Sequence, residues 1–168
     1  MSTVSFSTQD RVEIFIDLMN IETAVGRGKV DYMMLCRCLA KGRPISSVKV
    51  YDAKKNDIGQ EILHRELREK KFRLVITDIK CVDKNKQAGV DVILARDITR
   101  CALQSHNDVV IVVSGDGDFV PIIDVVKESG KKIEFASFKE SINNDLRNAT
   151  DRYIALDDLP IIIPEVNE

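Results

Sequence analysis

Apolar residues fall along this chain into two kinds of run. Short runs rich in apolar residues predict five strands, at residues 12–16, 45–51, 72–77, 109–113 and 132–136. Apolar residues spaced three or four positions apart predict helices at residues 31–40, 58–71, 90–103, 119–126 and 141–150. Residues 21–29 predict a polar connection, and residues 153–156 a last extended piece. This alternation predicts right-handed crossovers and an α/β fold, a three-layer α/β/α sandwich around a parallel sheet of about five strands.

The pattern around residues 109–113 organises the rest of the chain. Five consecutive β-branched residues predict a strand that is buried on both faces, as in a parallel sheet. The run Ser-Gly-Asp-Gly-Asp follows at residues 114–118 and cannot continue a strand, so it places Asp116 and Asp118 on a tight turn. The first predicted strand likewise ends at Asp17. Because ligands of open parallel sheets bind where the strand order reverses, we expect these three carboxylates to converge if the two strands are neighbours.

A fourth acid, Asp91, lies in the first turn of the helix predicted to lead into the central strand. A cluster with only oxygen ligands suits the hard cations Mg²⁺ and Mn²⁺, which stabilise charge on a phosphoryl oxygen and activate an attacking water. Phosphodiester hydrolysis is the reaction that such a site would serve. We expect Asn20 to orient a water or a phosphate oxygen, and Ser114 to hydrogen-bond a carboxylate or a metal-bound water. The predicted catalytic residues are therefore Asp17, Asn20, Asp91, Ser114, Asp116 and Asp118, with the four aspartates as metal ligands.

Each of these acids also has a purely structural interpretation. Asp118 precedes a helix with Pro121 in its first turn and is placed to be the N-cap. Asp91 is placed to compensate a helix dipole, which is worth roughly 0.3–1 kcal/mol, and Asp17 to cap its own turn. Capping, however, does not require acids at two strand ends that are expected to meet. The pattern as a whole therefore favours a shared metal.

Substrate contacts are predicted from lysines and one aromatic residue. Lys84 and Lys86, together with Lys54 and Lys55, are placed in loops where they could meet a phosphate backbone; the alternative is a solvated surface. Tyr51 ends the second predicted strand and is a candidate for stacking on a base; the alternative is packing within the core.

Composition limits the domain organisation and the partners. At 168 residues the chain predicts one domain at residues 11–158, between a flexible N-terminal tail, residues 1–10, and a C-terminal tail, residues 159–168. The formal net charge of −2 argues against a bulk electrostatic hold on nucleic acid, so a phosphate partner needs a local basic patch. Four cysteines without metal-ligand spacing predict reduced thiols and a cytoplasmic location. No apolar run predicts a membrane span.

The motifs resemble the NYN branch of the PIN-like nuclease superfamily, in particular its LabA-like (DUF88) members. The opening strand with Asp and Asn lies at residues 15–20, Gly-Val-Asp at residues 89–91, and Ser-Gly-Asp-x-Asp-Phe-x-Pro at residues 114–121. The closing pattern of that family is matched by Leu146, Ala149, Asp151 and Tyr153. Two positions depart from it: Leu18 stands where members often have Gly, and Ala88 where they often have Lys.

The resemblance implies a PIN-like, Rossmann-like sheet of strand order 3-2-1-4-5. It also implies a Mg²⁺- or Mn²⁺-dependent ribonuclease whose site is built from the four aspartates, with Asn20 and Ser114 assisting. RNA, single-stranded or structured, is then the expected partner, and a homodimer is a candidate oligomeric state.

Two other functions remain as alternatives. The first is a non-catalytic RNA-binding or regulatory interaction module that retains the fold. The second is a phosphatase of the haloacid-dehalogenase type, whose late acidic motif superficially resembles residues 114–118. That chemistry needs a second aspartate two positions after the nucleophilic one. Met19 occupies that position after Asp17, which argues against a phosphatase.

Overall fold

A computed structural model describes residues 5–26, 28–55, 57–78 and 89–163. The strands are Val12–Asp17 (β1), Lys29–Val30 (β2), Ile45–Ala53 (β3), Arg73–Thr77 (β4), Val109–Val113 (β5), Lys132–Ser137 (β6), Arg152–Ala155 (β7) and Ile162–Ile163 (β8). The α-helices are Leu18–Val25 (α1), Tyr32–Ala40 (α2), Ile58–Glu69 (α3), Val90–Gln104 (α4), Val120–Glu128 (α5) and Asn144–Ala149 (α6). Short 3₁₀ turns at Gly117–Phe119 and Leu156–Asp158 complete the regular structure of the described residues.

Six strands form the main sheet, in the order β4-β3-β1-β5-β6-β7, and every neighbouring pair is parallel. The order of the five predicted strands is confirmed, and β7 adds a sixth strand where only an extended piece was predicted. The chain builds outward from β1 through β3 to β4, and α4 then returns it to β5 on the other side of β1. The strand order therefore reverses between β1 and β5.

One hydrophobic cluster covers each face of the sheet, which confirms the three-layer sandwich. Side chains of α1, α2 and α3 pack on one face, around Ile14, Ile16 and Ile111. Side chains of α4, α5 and α6 pack on the other face, around Phe15 and Val112. All five residues of β5 are fully buried because both faces of this central strand are covered, as their uninterrupted apolar run predicts.

The predicted polar connection at residues 21–29 is wrong in its first half. Those residues continue a helix that begins at Leu18, immediately after Asp17 has capped it. Leu18 and Ile21 are buried on one face of this helix, and Val25 packs against the same cluster. Their spacing of three and four residues is helical. The pattern was missed because it begins at Leu18, before residue 21, where the predicted connection begins.

Both predicted tails contact the domain in their described parts. Ile161 is fully buried, and β8 pairs antiparallel with β2 in a small second sheet, so residues 159–163 are packed rather than free. At the other end of the chain, the Arg152 guanidinium lies over the Phe6 ring, and Asp10 forms an ion pair with Lys132. None of the helices in the described part of the chain has the length and apolar character that a bilayer crossing requires.

Candidate active site

An acidic cleft of about 350 Å³ opens where β1 and β5 end. Three carboxylates from distant parts of the chain line it: Asp17 from the end of β1, Asp91 from the first turn of α4, and Asp116 from the turn after β5. Parallel neighbouring strands bring their carboxyl ends to one edge of the sheet, and the register aligns Ile16 with Val113. The cleft therefore lies at the reversal of strand order, where open α/β sheets bind their ligands.

A ring of hydrogen bonds fixes the two strand ends to each other. Ser114 is fully buried, and its hydroxyl donates to Asp17 Oδ2 at 3.2 Å while accepting from the Asp116 backbone N–H at 3.3 Å. Asn20 Oδ1 accepts from the Gly115 backbone N–H at 3.1 Å. The Asn20 backbone N–H in turn donates to Asp17 Oδ1 at 3.3 Å, so Asp17 also caps α1. Ser114 thus hydrogen-bonds a carboxylate as expected, and Asn20 joins the first motif to the central one.

The two glycines of the central motif allow the loop at residues 141–143 to approach closely. A Cβ at Gly115 would overlap the backbone oxygen of Ser141, and a Cβ at Gly117 would lie 2.6 Å from Asn143 Nδ2. The Asn143 backbone N–H donates to the Gly115 carbonyl at 2.9 Å. The Gly-Asp-Gly spacing therefore lets the chain place Asp116 at the cleft while this loop closes over the turn.

Burial and mutual repulsion disfavour the ionised form of the acids in the cleft. Burial raises the pKa of Asp17 from 3.8 to about 6, and the nearby Asp91 and Asp116 carboxylates add to the shift. The pKa of Asp91 is also raised, by burial first and then by Asp116 and Asp118. No basic side chain is among the described residues that line the cleft. Unpaired like charges in one cleft are typical of functional sites and favour a cationic ligand.

Asp118 lies at the rim and not on the wall of the cleft. Its side chain is exposed, but it is close enough to Asp91 to raise the pKa of that residue. The structural interpretation of Asp118 as an N-cap is wrong. Asp116 has that role: its Oδ1 accepts from the Asp118 backbone N–H at 2.9 Å and caps the 3₁₀ turn. The helix that follows, α5, has no side-chain cap.

The donor set suits a hard divalent cation in its chemistry. Asp17, Asp91 and Asp116 offer carboxylate oxygens, Asn20 adds an amide, and the raised pKa values show carboxylates that a cation would relieve. No group of three or more His, Cys, Asp or Glu side chains in the described ranges is arranged to hold a metal ion as it stands. Binding would therefore require the carboxylates to turn toward the ion.

The predicted substrate contacts, Tyr51 and the lysines at positions 84 and 86, have different outcomes. Tyr51 is fully buried: its ring stacks on Phe15 with the ring centroids 6.3 Å apart, and its hydroxyl donates to Asp97 at 2.9 Å. It cannot stack on a base, so the alternative of core packing holds. Lys84 and Lys86 lie outside the described residues.

Sequence reasoning did not predict five residues on the wall of the cleft as site residues: Met19, Thr23, Ala24, Val90 and Ser141. The first three belong to α1, where Thr23 and Ala24 lie one turn after Asn20 and on the same face of the helix. A correct prediction of α1 would have found them. Ser141 reaches the cleft because its loop contacts Gly115, and no local sequence pattern predicts that contact.

Known proteins give three findings. The sequence profile of the NYN domain matches residues 11–157. The low amplitude and bright protein LabA of Synechococcus elongatus is 35% identical over 74 residues, which are 44% of this chain and only 39% of LabA. A solved protein of unknown function from Vibrio parahaemolyticus, VPA0982, has the same fold, with a TM-score of 0.80 and 24% identity over 95% of this chain and 100% of that one. The profile covers nearly the whole described domain, and the chain therefore belongs to the NYN domain family of the PIN-like nuclease superfamily, as its motifs predicted.

Proposed function

We propose that this chain is a Mg²⁺- or Mn²⁺-dependent ribonuclease that hydrolyses RNA phosphodiester bonds in the acidic cleft. The observation that carries the proposal is the meeting of Asp17, Asp91 and Asp116 in one cleft that is lined by no described basic side chain. Asp17 and Asp116 each cap a helix or turn, but capping does not require three like charges to meet at the reversal of the sheet. Membership of a nuclease superfamily supports phosphodiester hydrolysis as the reaction of this cluster.

Asp17, Asp91 and Asp116 would hold the cation, with Asp118 at the rim. A divalent ion in such a site supplies charge stabilisation to a phosphoryl oxygen and lowers the pKa of an attacking water. The chain itself supplies orientation: the Ser114 hydroxyl fixes one oxygen of Asp17, and the Asn20 backbone N–H fixes the other. Partners of this kind keep metal ligands in place, and their loss typically costs about 10–100-fold in activity or metal affinity.

Cleavage of labelled RNA tests the proposal. Single-stranded and hairpin RNAs are incubated with wild-type protein and with Asp116→Asn in Mn²⁺, in Mg²⁺ and in EDTA, and the products are resolved by size. Asp124→Asn is the matched control, because Asp124 is an exposed aspartate on α5 away from the cleft. We expect cleavage by wild-type protein and by the control only with metal. Asp116→Asn should lose at least about a hundredfold in rate, the scale for removal of one charge-stabilising group.

Circular dichroism and urea unfolding establish that Asp116→Asn remains folded. Cleavage that persists at the same rate in Asp116→Asn would contradict the proposal, since it would arise outside this cleft. Absence of cleavage across both metals and both RNA classes, with folded wild-type protein, would also contradict it.

A second candidate is a non-catalytic RNA-binding or regulatory module. The observation that favours it is the absence, among the described residues, of an acidic group already arranged to hold a metal. This function predicts RNA or partner binding that is unchanged in Asp116→Asn and no cleavage by wild-type protein. The same set of variants therefore separates the two functions.

A further inference from the structure

A second cavity, which we call the side pocket, lies next to the acidic cleft. It has a volume of about 380 Å³ and opens between α1, α2, α3, β2 and the end of β3. Met19 lines both the side pocket and the cleft, so the two cavities share a wall. A ligand held in the cleft is thus within reach of the side pocket.

The inner wall of the side pocket is largely apolar. Leu18, Val30, Ile62 and Leu63 line it, and Asp52 is the buried polar residue at the end of β3. The Asp52 carboxylate is already occupied, because Oδ2 lies 2.8 Å from His64 Nε2 and accepts from Gln60 Nε2 at 2.8 Å. The aliphatic walls are therefore left to contact the flat faces of a ligand.

Charged groups line the rest of the side pocket: the acids Glu22, Asp57 and Glu66 and the bases Lys29 and Lys55. The half-buried Lys55 ammonium contacts the Met19 sulfur on the shared wall, so a positive charge stands between the two cavities. No described residue lining the cleft is basic, and the Lys29 ammonium of the side pocket is paired with Glu66 at 3.1 Å. Lys55 is therefore the cation placed to contact a phosphate that passes from one cavity to the other.

The geometry points to a base-binding subsite: we propose that the side pocket holds one nucleobase of an RNA strand and that Lys55 contacts the adjoining phosphate at the acidic cleft. This inference rests on the proposed function, because it places the same RNA. The volume lies at the low end of the roughly 300–1,000 Å³ of small-ligand pockets, which suits one nucleotide rather than a protein segment. Bases taken out of a stack are commonly held between apolar side chains.

Binding of single nucleotides to the whole chain tests the subsite without any cleavage. AMP, GMP, CMP and UMP are titrated in EDTA and followed by ¹H–¹⁵N NMR, with ribose 5-phosphate as the ligand that lacks a base. Ile62→Glu places a charge on the apolar wall. Ile58→Glu is its matched control, because Ile58 lies one turn earlier on α3, is 75% exposed and does not line the pocket.

A second pair of variants tests the phosphate contact. Lys55→Ala removes the ammonium on the shared wall. Lys70→Ala is its control, because Lys70 is an exposed lysine at the end of α3 that does not line the pocket. We expect at least one nucleotide to saturate at millimolar concentration and to shift amides of α1 and α3. Its affinity should fall about tenfold or more in Ile62→Glu and Lys55→Ala, about 1.4 kcal/mol for the loss of one contact to the ligand, and stay within about twofold in the controls.

Three results would overturn the subsite: no saturation by any of the four nucleotides, equal affinity in all four variants, or equal shifts with ribose 5-phosphate. The outcome is separable from that of the nuclease proposal, because nucleotide binding is measured without metal and without a cleavable bond. Nucleotide binding without RNA cleavage would support the subsite and contradict the proposed nuclease function. RNA cleavage without nucleotide binding in the side pocket would support the nuclease function and contradict the subsite.

Discussion

Replacing Asp17 with asparagine should stabilise the metal-free protein at high pH. Asp17 is only 6% exposed, and burial together with two neighbouring carboxylates raises its pKa from 3.8 to about 6. Asparagine has nearly the same shape and no charge to desolvate. It retains an acceptor for the backbone N–H of Asn20 and is itself a good N-cap, so the start of α1 is preserved.

The magnitude follows from the two pKa values. The folded state binds the Asp17 proton more tightly than the unfolded chain does, so this group lowers stability as the pH rises from about 4 to above 6. With about 1.4 kcal/mol for each pKa unit, the loss reaches roughly 3 kcal/mol at pH 8. The variant avoids this loss and gives up a hydrogen bond from Ser114, worth about 1 kcal/mol. We therefore expect Asp17→Asn to be about 2 kcal/mol more stable than wild type at pH 8.

Urea unfolding in EDTA at pH 4.5 and pH 8 measures this difference, with Asp124→Asn as the exposed control. The advantage of Asp17→Asn should shrink to near zero at the lower pH, because the aspartate is then protonated in the folded wild-type protein. Mn²⁺ should reverse the order at pH 8. A ligand at a hundred times its Kd stabilises by about 2.7 kcal/mol, and only wild type and the control keep the full ligand set.

Two results would refute this reasoning. If wild type and Asp17→Asn unfold at the same urea concentration at pH 8 in EDTA, the buried carboxylate carries no electrostatic cost. If Asp17→Asn is more stable by the same amount at both pH values, the gain comes from packing and not from ionisation. Either result would also weaken the case for a cation at this cleft.

Two further predictions concern the frame that supports the cleft. Gly115→Ala should lower the free energy of unfolding by about 1–3 kcal/mol, because its Cβ would overlap the Ser141 carbonyl; Gly89→Ala, with nothing within 4 Å, is the control that should change it by less than about 1 kcal/mol. Arg43→Met should cost about 3 kcal/mol in urea unfolding, the low end for breaking a buried ion pair, because the fully buried Glu134 carboxylate loses its bonds of 2.6 and 2.9 Å but keeps the longer contact with Arg152 at 3.3 Å. A change below about 1 kcal/mol in either variant would contradict the contact on which it rests.

The sheet could be predicted from sequence because its strands are coded locally. The five apolar residues of β5 are buried on both faces, and this requirement leaves little choice of residue type. The acids of the cleft could be found for a related reason: Asp17 is the last residue of β1, Asp116 lies in the turn after β5, and parallel strands end at one edge. The pairing of β1 with β5 came from the family resemblance, since pairing partners are not coded within either strand.

Other features depend on contacts between distant segments, and local patterns did not predict them. Tyr51 was predicted to end its strand, but β3 continues to Ala53, and pleat alternation turns the Tyr51 ring toward α4, where Asp97 accepts a hydrogen bond from its hydroxyl. The packing of Ile161 and the pairing of β8 with β2 need a partner strand of two residues, too short to show periodicity. The side pocket could not be predicted either, because its walls come from three helices and two strands whose packing no single motif describes.

The same residues of the cleft serve both folding and the proposed chemistry. Asp17 caps α1 and Asp116 caps the 3₁₀ turn, so each carboxylate is held by backbone N–H groups that would otherwise lack a partner at a helix start. These bonds fix the positions of the carboxylates. Burial first, and then the repulsion from Asp91 and Asp116, raises the pKa of Asp17 while the strand ends stay together. Because Asn20 ties α1 to Gly115, a cation that draws the carboxylates together would act on a frame that is already closed. Capping and metal binding are therefore compatible roles for one acid, and the structural interpretation of Asp17 does not compete with the functional one.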